Sequence, residues 1–225
     1  MSDVELRVAA SAAESQREAA ELLAESARRG GHIALSGGAT PRPAYEGAAR
    51  LAPDWSGVEV WWADERCVPP DDERSNYRLV RESLLDRLDR KPLMEHRVLG
   101  ELSPAEAADA YDAELRDVVF DLALLGIGPD GHTASLFPND PALDELGRRA
   151  AAVPRPDVAR VTATIPQLNA SETVLFLIVG EEKADAVARS FSAPPDPATP
   201  AGLVRSVSGR TIVLLDRAAA ARLPN

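Results

Sequence analysis

Gly128-Pro129-Asp130-Gly131-His132 is the stretch of this chain whose residue types most directly suggest chemistry. Imidazole titrates near neutrality, so His132 can take a proton from water. Asp130, two residues earlier, either holds one ring nitrogen or meets a substrate. The spacing alone fits a turn histidine bonded to backbone equally well. The other two histidines, His32 and His96, stand at the start of a strand and in a charged connection. Both read as structural or solvated.

Ser36-Gly37-Gly38-Ala39-Thr40-Pro41 joins an apolar run to the next helix. Its two glycines let backbone N–H groups turn toward an anion, and Pro41 suits the first helical turn. Ser36 and Thr40 add hydroxyls. No Gly-Lys-Ser/Thr follows, so this is not a Walker loop. The third glycine of a dinucleotide fingerprint is also missing, and a plain tight turn is the alternative to a phosphate loop. Asp64-Glu65-Arg66 follows Trp61 and Trp62. A carboxylate there can serve as a base, and Arg66 can clamp an oxyanion or phosphate. Glu65 reads as half of an internal ion pair that fixes the loop. Ser75 caps the following helix, and Asn76 locks the loop before it. Arg160 and Lys183 lie near strand ends, as phosphate ligands or as solvated surface cations. Cys67 reads as a small hydrophobe.

Four long helices are expected around these residues. Residues 12–29 bury Ala19, Leu23 and Ala27, and residues 74–89 bury Tyr77, Val80, Leu84 and Leu88. A third begins at the capping box Ser103-Pro104-Ala105-Glu106 and runs through Tyr111 and Leu115 to Val118. The fourth covers about 182–192. Between them lie short apolar runs at His32–Leu35, Val58–Ala63, Leu122–Ile127, Val158–Ala163, Thr173–Val179 and Thr211–Leu215. Several do not alternate, as befits strands covered on both faces. Strand and helix alternate, which predicts a three-layer, Rossmann-like α/β sandwich with a largely parallel sheet, in one domain over 1–225. Proline-rich stretches at 154–156 and 194–200 read as surface connections. In such sheets ligands sit beyond the carboxyl ends of the strands, where the Ser36 and Asp130 segments fall.

Composition narrows the partners. Lys plus Arg is 25 against 36 Asp plus Glu, a net charge of −11. That argues against a nucleic-acid or anionic-membrane binder, while leaving room for a small phosphate pocket. With one cysteine no intrachain disulfide forms. The acidic start MSDVELRVAA does not read as a secretory leader, and apolar runs of about six residues are too short to span a bilayer. A cytoplasmic location is expected. No repeat or heptad array is present.

The ordered segments LSGGATPRPAYE (35–46), WWADERCVPPDDERSNYRLVRESLL (61–85), DLALLGIGPDGHTASLFP (121–138), RVTATIPQLNAS (160–171), GEEKADAV (180–187) and PAGLVRSVSGRTIVLLDRAAA (200–220) resemble the 6-phosphogluconolactonase family. Together they span nearly the whole chain. Ala39 stands where the family often has serine, which removes one hydroxyl donor. The resemblance implies the fold shared with glucosamine-6-phosphate deaminases. It also implies hydrolysis of 6-phospho-D-glucono-1,5-lactone to 6-phosphogluconate in the oxidative pentose phosphate pathway, with no nucleotide or metal cofactor. On that reading His132 is the general base on water, and Asp130 or Asp64 orients it or holds sugar hydroxyls. Arg66 assists the oxyanion, and Ser36, Gly37, Gly38, Thr40, Arg160 and Lys183 bind the phosphate. The nearest rival is an amino-sugar-phosphate isomerase or deaminase. Its turn continues into a segment that supplies a glutamate, absent from Ser135–Asp140 here. A non-catalytic phosphosugar sensor would have dropped the base. A serine hydrolase would need a Gly-x-Ser-x-Gly elbow, which is missing.

Overall fold

The computed structural model describes residues 4–224. The expected domain limits, residues 1 and 225, lie outside the described residues. In chain order the elements are β1 (Val4–Ala9), α1 (Ala12–Arg29), β2 (Gly31–Leu35), α2 (Arg42–Leu51), β3 (Val58–Trp62), β4 (Asp64–Arg66), α3 (Asn76–Ser83) and β5 (Met94–His96). They continue with α4 (Pro104–Glu114), β6 (Leu122–Leu125), β7 (Ala150–Val153), β8 (Arg160–Ala163), α5 (Ile165–Asn169), β9 (Thr173–Ile178), α6 (Ala184–Phe191) and β10 (Arg210–Asp216).

Seven strands form one sheet in the order β1-β10-β9-β6-β2-β3-β5, every neighbouring pair parallel. The non-alternating apolar runs have the expected cause. In β6, Leu122 and Leu124 enter the core under α1, α2 and α3, while Ala123 and Leu125 enter the core on the other face. Leu175 and Leu177 of β9, and Ile212 and Leu214 of β10, divide from their neighbours in the same way. Trp61 and Trp62 also part to opposite cores, and both are fully buried. Two cores on one shared sheet make the three-layer sandwich. Among the described residues no helix is long and apolar enough to cross a membrane.

Local signals explain the helix starts. Ser11 accepts from the Glu14 N–H at the head of α1. At α4, Ser103 Oγ accepts from Glu106 N (3.3 Å) while Glu106 reaches back to Ser103 N (3.2 Å). The helix ends at Glu114, short of Val118, because Val118 N–H closes a tight turn on Leu115 O (3.1 Å). The second expected helix is broken at Leu84, whose backbone (φ −129°) leaves the helical region, and a single 3₁₀ turn follows. The break lets Leu84, Leu85 and Leu88 all enter one core.

Two expectations are corrected. The run Val158–Ala163 is not a strand of the main sheet. Residues 160–163 form β8, the middle of a separate antiparallel sheet ordered β4-β8-β7. Asp64-Glu65-Arg66, expected as a loop, is the strand β4 of that sheet. Each β4 side chain is therefore held in register: Asp64 opposite Thr162, and Arg66 opposite Arg160. The 194–200 stretch also turns inward at its end, where Thr199 and Pro200 are buried.

Candidate active site

β2 and β6 are neighbours whose connections leave toward opposite edges of the sheet, which opens a crevice at their carboxyl ends. The crevice is a solvent-open cavity of about 290 Å³. It is lined by residues 36–41, 126–129, 132–134 and 177–179, with Asp64, Arg66, Asn76 and Lys183. Of the ten residues singled out from the sequence, eight line it directly. Asp130 stands behind His132, and Arg160 lies outside the lining.

The His132–Asp130 pair has a defined geometry. Asp130 Oδ1 lies 2.6 Å from His132 Nδ1 and accepts from the His132 backbone N–H at 3.1 Å. Burial disfavours the Asp130 carboxylate, but that N–H and the adjacent imidazole outweigh it and hold the carboxyl below its ordinary range. With Nδ1–H donated to Asp130, Nε2 of a neutral ring carries the lone pair. Among the described residues no group bonds Nε2. Gly128 makes room for the pair, since a Cβ there would lie 2.1 Å from Nδ1. Phe137 packs against the imidazole with ring centroids 4.7 Å apart.

The 36–41 loop faces the pair across the cavity. Ser36 Oγ donates to Leu124 O of β6 (2.8 Å), so its proton is already committed within the protein. Among the described residues no group accepts from the N–H groups of Gly37, Gly38, Ala39 or Thr40. Gly38 adopts φ +97°, a left-handed conformation that glycine reaches at low cost. Lys183 lies in the turn before α6, and its ammonium has no hydrogen bond or ion pair among the described residues. A free ammonium and unpaired N–H groups on one cavity are the components of an anion site.

Asp64 is buried at the cavity wall. Ser135 Oγ donates to its Oδ2 (2.6 Å), and Asn76 Nδ2 donates to its backbone carbonyl (2.8 Å) and to Oδ1 (3.2 Å). Among the described residues no cation pairs with it, and it lines the cavity. Ser135 was not visible from sequence reasoning: its partner is 71 residues away, and its position follows from Ala134 at φ +48°, an unfavourable angle for a residue with a Cβ. The Ser135 N–H is fixed on Thr162 Oγ1 of β8. Arg66 donates from Nη1 to Arg74 O (2.5 Å), while its Nε is buried without a partner.

Three expectations are corrected in detail. Glu65 does fix its loop, but through N–H groups rather than an ion pair. It accepts from Arg66 N, Asn76 N and Tyr77 N, each at 2.7 Å, and from Ser75 Oγ. Burial pushes the Glu65 carboxyl up, and those N–H groups pull it partly back. Arg160 is directed to Asp157 (2.7 Å) and lies 5.3 Å above the Phe137 ring, so it packs behind His132 instead of entering the cavity. Ser36 lines the cavity, but its hydroxyl is not free to donate. Asn76 locks its loop as expected. Cys67 is half-buried, and burial pushes its thiol up. Among the described residues no cluster of three or more His, Cys, Asp or Glu is arranged to hold a metal ion.

Comparison with known proteins gives a consistent set. Residues 3–213 match the family model described as glucosamine-6-phosphate isomerases/6-phosphogluconolactonase. A 6-phosphogluconolactonase of Synechocystis is 41% identical over 210 residues, covering 88% of this chain and 87% of that protein. The human 6-phosphogluconolactonase is 39% identical, covering 97% and 90%. The structure of 6-phosphogluconolactonase from Trypanosoma cruzi superposes with a TM-score of 0.87 at 28% identity, covering 100% of this chain and 99% of that one.

Proposed function

The chain belongs to the family of glucosamine-6-phosphate isomerases and 6-phosphogluconolactonases, and on that premise we propose how it hydrolyses 6-phospho-D-glucono-1,5-lactone. It is an enzyme of the 6-phosphogluconolactonase type, acting in the pentose phosphate pathway. His132 is the general base. The observation that carries this is the free Nε2 beside the cavity, with Nδ1 anchored on Asp130. Nε2 removes a proton from water as the water oxygen bonds to C1. The carbonyl oxygen becomes an oxyanion, and Arg66, which lines the cavity, stabilises it with backbone N–H groups of the glycine-rich turns. The intermediate collapses with cleavage of the bond between C1 and the ring oxygen. The imidazolium returns its proton to that oxygen, giving 6-phosphogluconate.

The two aspartates divide the work. Asp130 orients the ring of His132. Asp64 is anchored by Ser135 and Asn76 and holds sugar hydroxyls. The phosphate lies on the N–H groups of residues 37–40 and on Lys183. Arg160 joins it only if Asp157 releases it. The chain acts as one domain over 1–225 in the cytoplasm, without a nucleic-acid or membrane partner. Asp140, the one carboxylate between Ser135 and Asp140, caps the following 3₁₀ turn through Ala142 N (2.9 Å). Its Oδ1 is thereby directed to its own turn.

The test is a coupled assay in which glucose 6-phosphate is oxidised to generate the lactone in place. Its loss is followed against the spontaneous rate, and ammonia release from glucosamine 6-phosphate is measured in parallel. Accelerated lactone loss without ammonia is expected. Ammonia release, or no acceleration by folded protein, would overturn the reading.

A further inference from the structure

Two buried tyrosines make the same unusual contact at the ends of the two strands that lead into the site. The Tyr45 hydroxyl donates to Ser36 O (2.6 Å) and accepts from Ser36 N (3.1 Å). The Tyr111 hydroxyl donates to Trp62 O (2.8 Å) and accepts from Trp62 N (2.9 Å). In each case one phenol oxygen satisfies both backbone groups of a single residue. Both side chains are essentially fully buried.

The positions explain the need. β2 is paired through Leu35, whose carbonyl takes the Ala63 N–H, and β3 is paired with β5 only as far as Trp61. At Ser36 and Trp62 a neighbouring strand has run out. An unpaired buried N–H or carbonyl is costly, so each phenol stands in for the missing strand. The chain then leaves the sheet in a fixed direction. After Ser36 it enters the Gly37–Thr40 loop. After Trp62 it reaches Asp64 in two residues. Asn76 keeps the two exits apart: a Cβ on Gly37 would lie 1.8 Å from Asn76 Oδ1, while Asn76 Nδ2 holds Asp64.

We propose that Tyr45 and Tyr111 are positioning residues with separate targets, Tyr45 aiming the phosphate-binding N–H groups of residues 37–40 and Tyr111 aiming Asp64 at the sugar ring. Neither touches substrate. The assignment rests on the lactonase reading and deepens it, because it divides phosphate recognition from ring orientation. A 1 Å misplacement at such a distance is enough to cost up to ~10²-fold in rate.

The experiment compares Tyr45→Phe with Tyr111→Phe, which remove the same atom from two places. Tyr45→Phe is expected to raise KM for the lactone and the inhibition constant of inorganic phosphate about tenfold, with kcat changed less than about twofold. Tyr111→Phe is expected to lower kcat about tenfold and leave phosphate inhibition unchanged. Equal effects of both variants on KM, kcat and phosphate inhibition would mean a merely structural role and overturn the proposal. Should a variant fail to fold, wild-type amide hydrogen exchange decides. Slow exchange at Ser36 and Trp62 is expected, with added phosphate slowing residues 37–40 only. Fast exchange at Ser36 or Trp62 overturns it. Absence of lactone hydrolysis by the wild type would instead sink the lactonase reading itself.

Discussion

His132 and His96 are both held by carboxylates, and they differ in what remains free. His96 gives one ring nitrogen to Glu114 (2.9 Å) and the other to Glu59 (2.7 Å), and stacks on Trp61 at 3.7 Å. His32 joins that cluster by accepting from Trp61 Nε1 (3.1 Å). Both ring nitrogens of His96 are engaged by carboxylates, so neither is left over. His132 has one carboxylate, on Nδ1, and lines a cavity that also holds Lys183 and four N–H groups without a partner among the described residues. Residue type is therefore a poor guide to catalysis in this chain. A spare lone pair beside an open site separates the two regions.

The strongest way to sharpen that contrast is removal of each ring. His132→Ala is expected to lower kcat by ~10²–10⁴-fold, the usual worth of a general base, with little change in Tm. Retention of full kcat would break the comparison at its first term. Gly128→Ala acts on the same pair indirectly. The new methyl would occupy the space of Nδ1, so the ring must swing away, and kcat is expected to fall about tenfold or more. Unchanged activity would show that the ring position seen here is not the working one.

The pH profile gives a third, smaller test. Asp130 lies below the ordinary carboxyl range, so it stays ionised across about pH 5–8. A depressed folded pKa contributes stability above the unfolded value of ~3.9 and loses it only as pH falls through the folded value. Asp130 is thus expected to contribute nothing to any fall of kcat/KM between about pH 8 and pH 5. A second proton entering the acid limb in that range, lost in Asp130→Asn, would show Asp130 titrating there and contradict this. At the other region, His96→Ala is expected to leave kcat unchanged. It should cost about 1–2 kcal/mol from the stack and the partly exposed hydrogen bonds, lowering Tm by a few degrees.

Much of this was legible in the chain itself. α1 and the head of α4 follow from apolar spacing and a capping box, because their determinants are local. Apolar runs marked the central strands, since burial on both faces removes alternation. β1, β5 and β7 were not visible. β1 is an edge strand with Glu5 and Arg7 interleaved, and the other two are only three and four residues long. The same run-based reading put 158–163 into the main sheet, because hydrophobicity does not say which sheet a strand joins. In the site, His132, Asp130 and the 36–41 loop could be read because they are local sequence patterns. Ser135 and the two tyrosines could not, since each acts on a distant partner. Arg160 could be recognised as a cation near a strand end, but its turn toward Asp157 depends on the antiparallel sheet.

The central claim is that Asp130 acts through His132, whose free nitrogen performs the proton transfer. A cycle of His132→Ala, Asp130→Asn and the double variant, followed by kcat/KM for the lactone, tests it most directly. Asp130→Asn alone is expected to lose about 10–10²-fold, and the double variant to match His132→Ala within about twofold. Losses that multiply in the double variant would mean that Asp130 acts on the substrate independently, and would contradict the account.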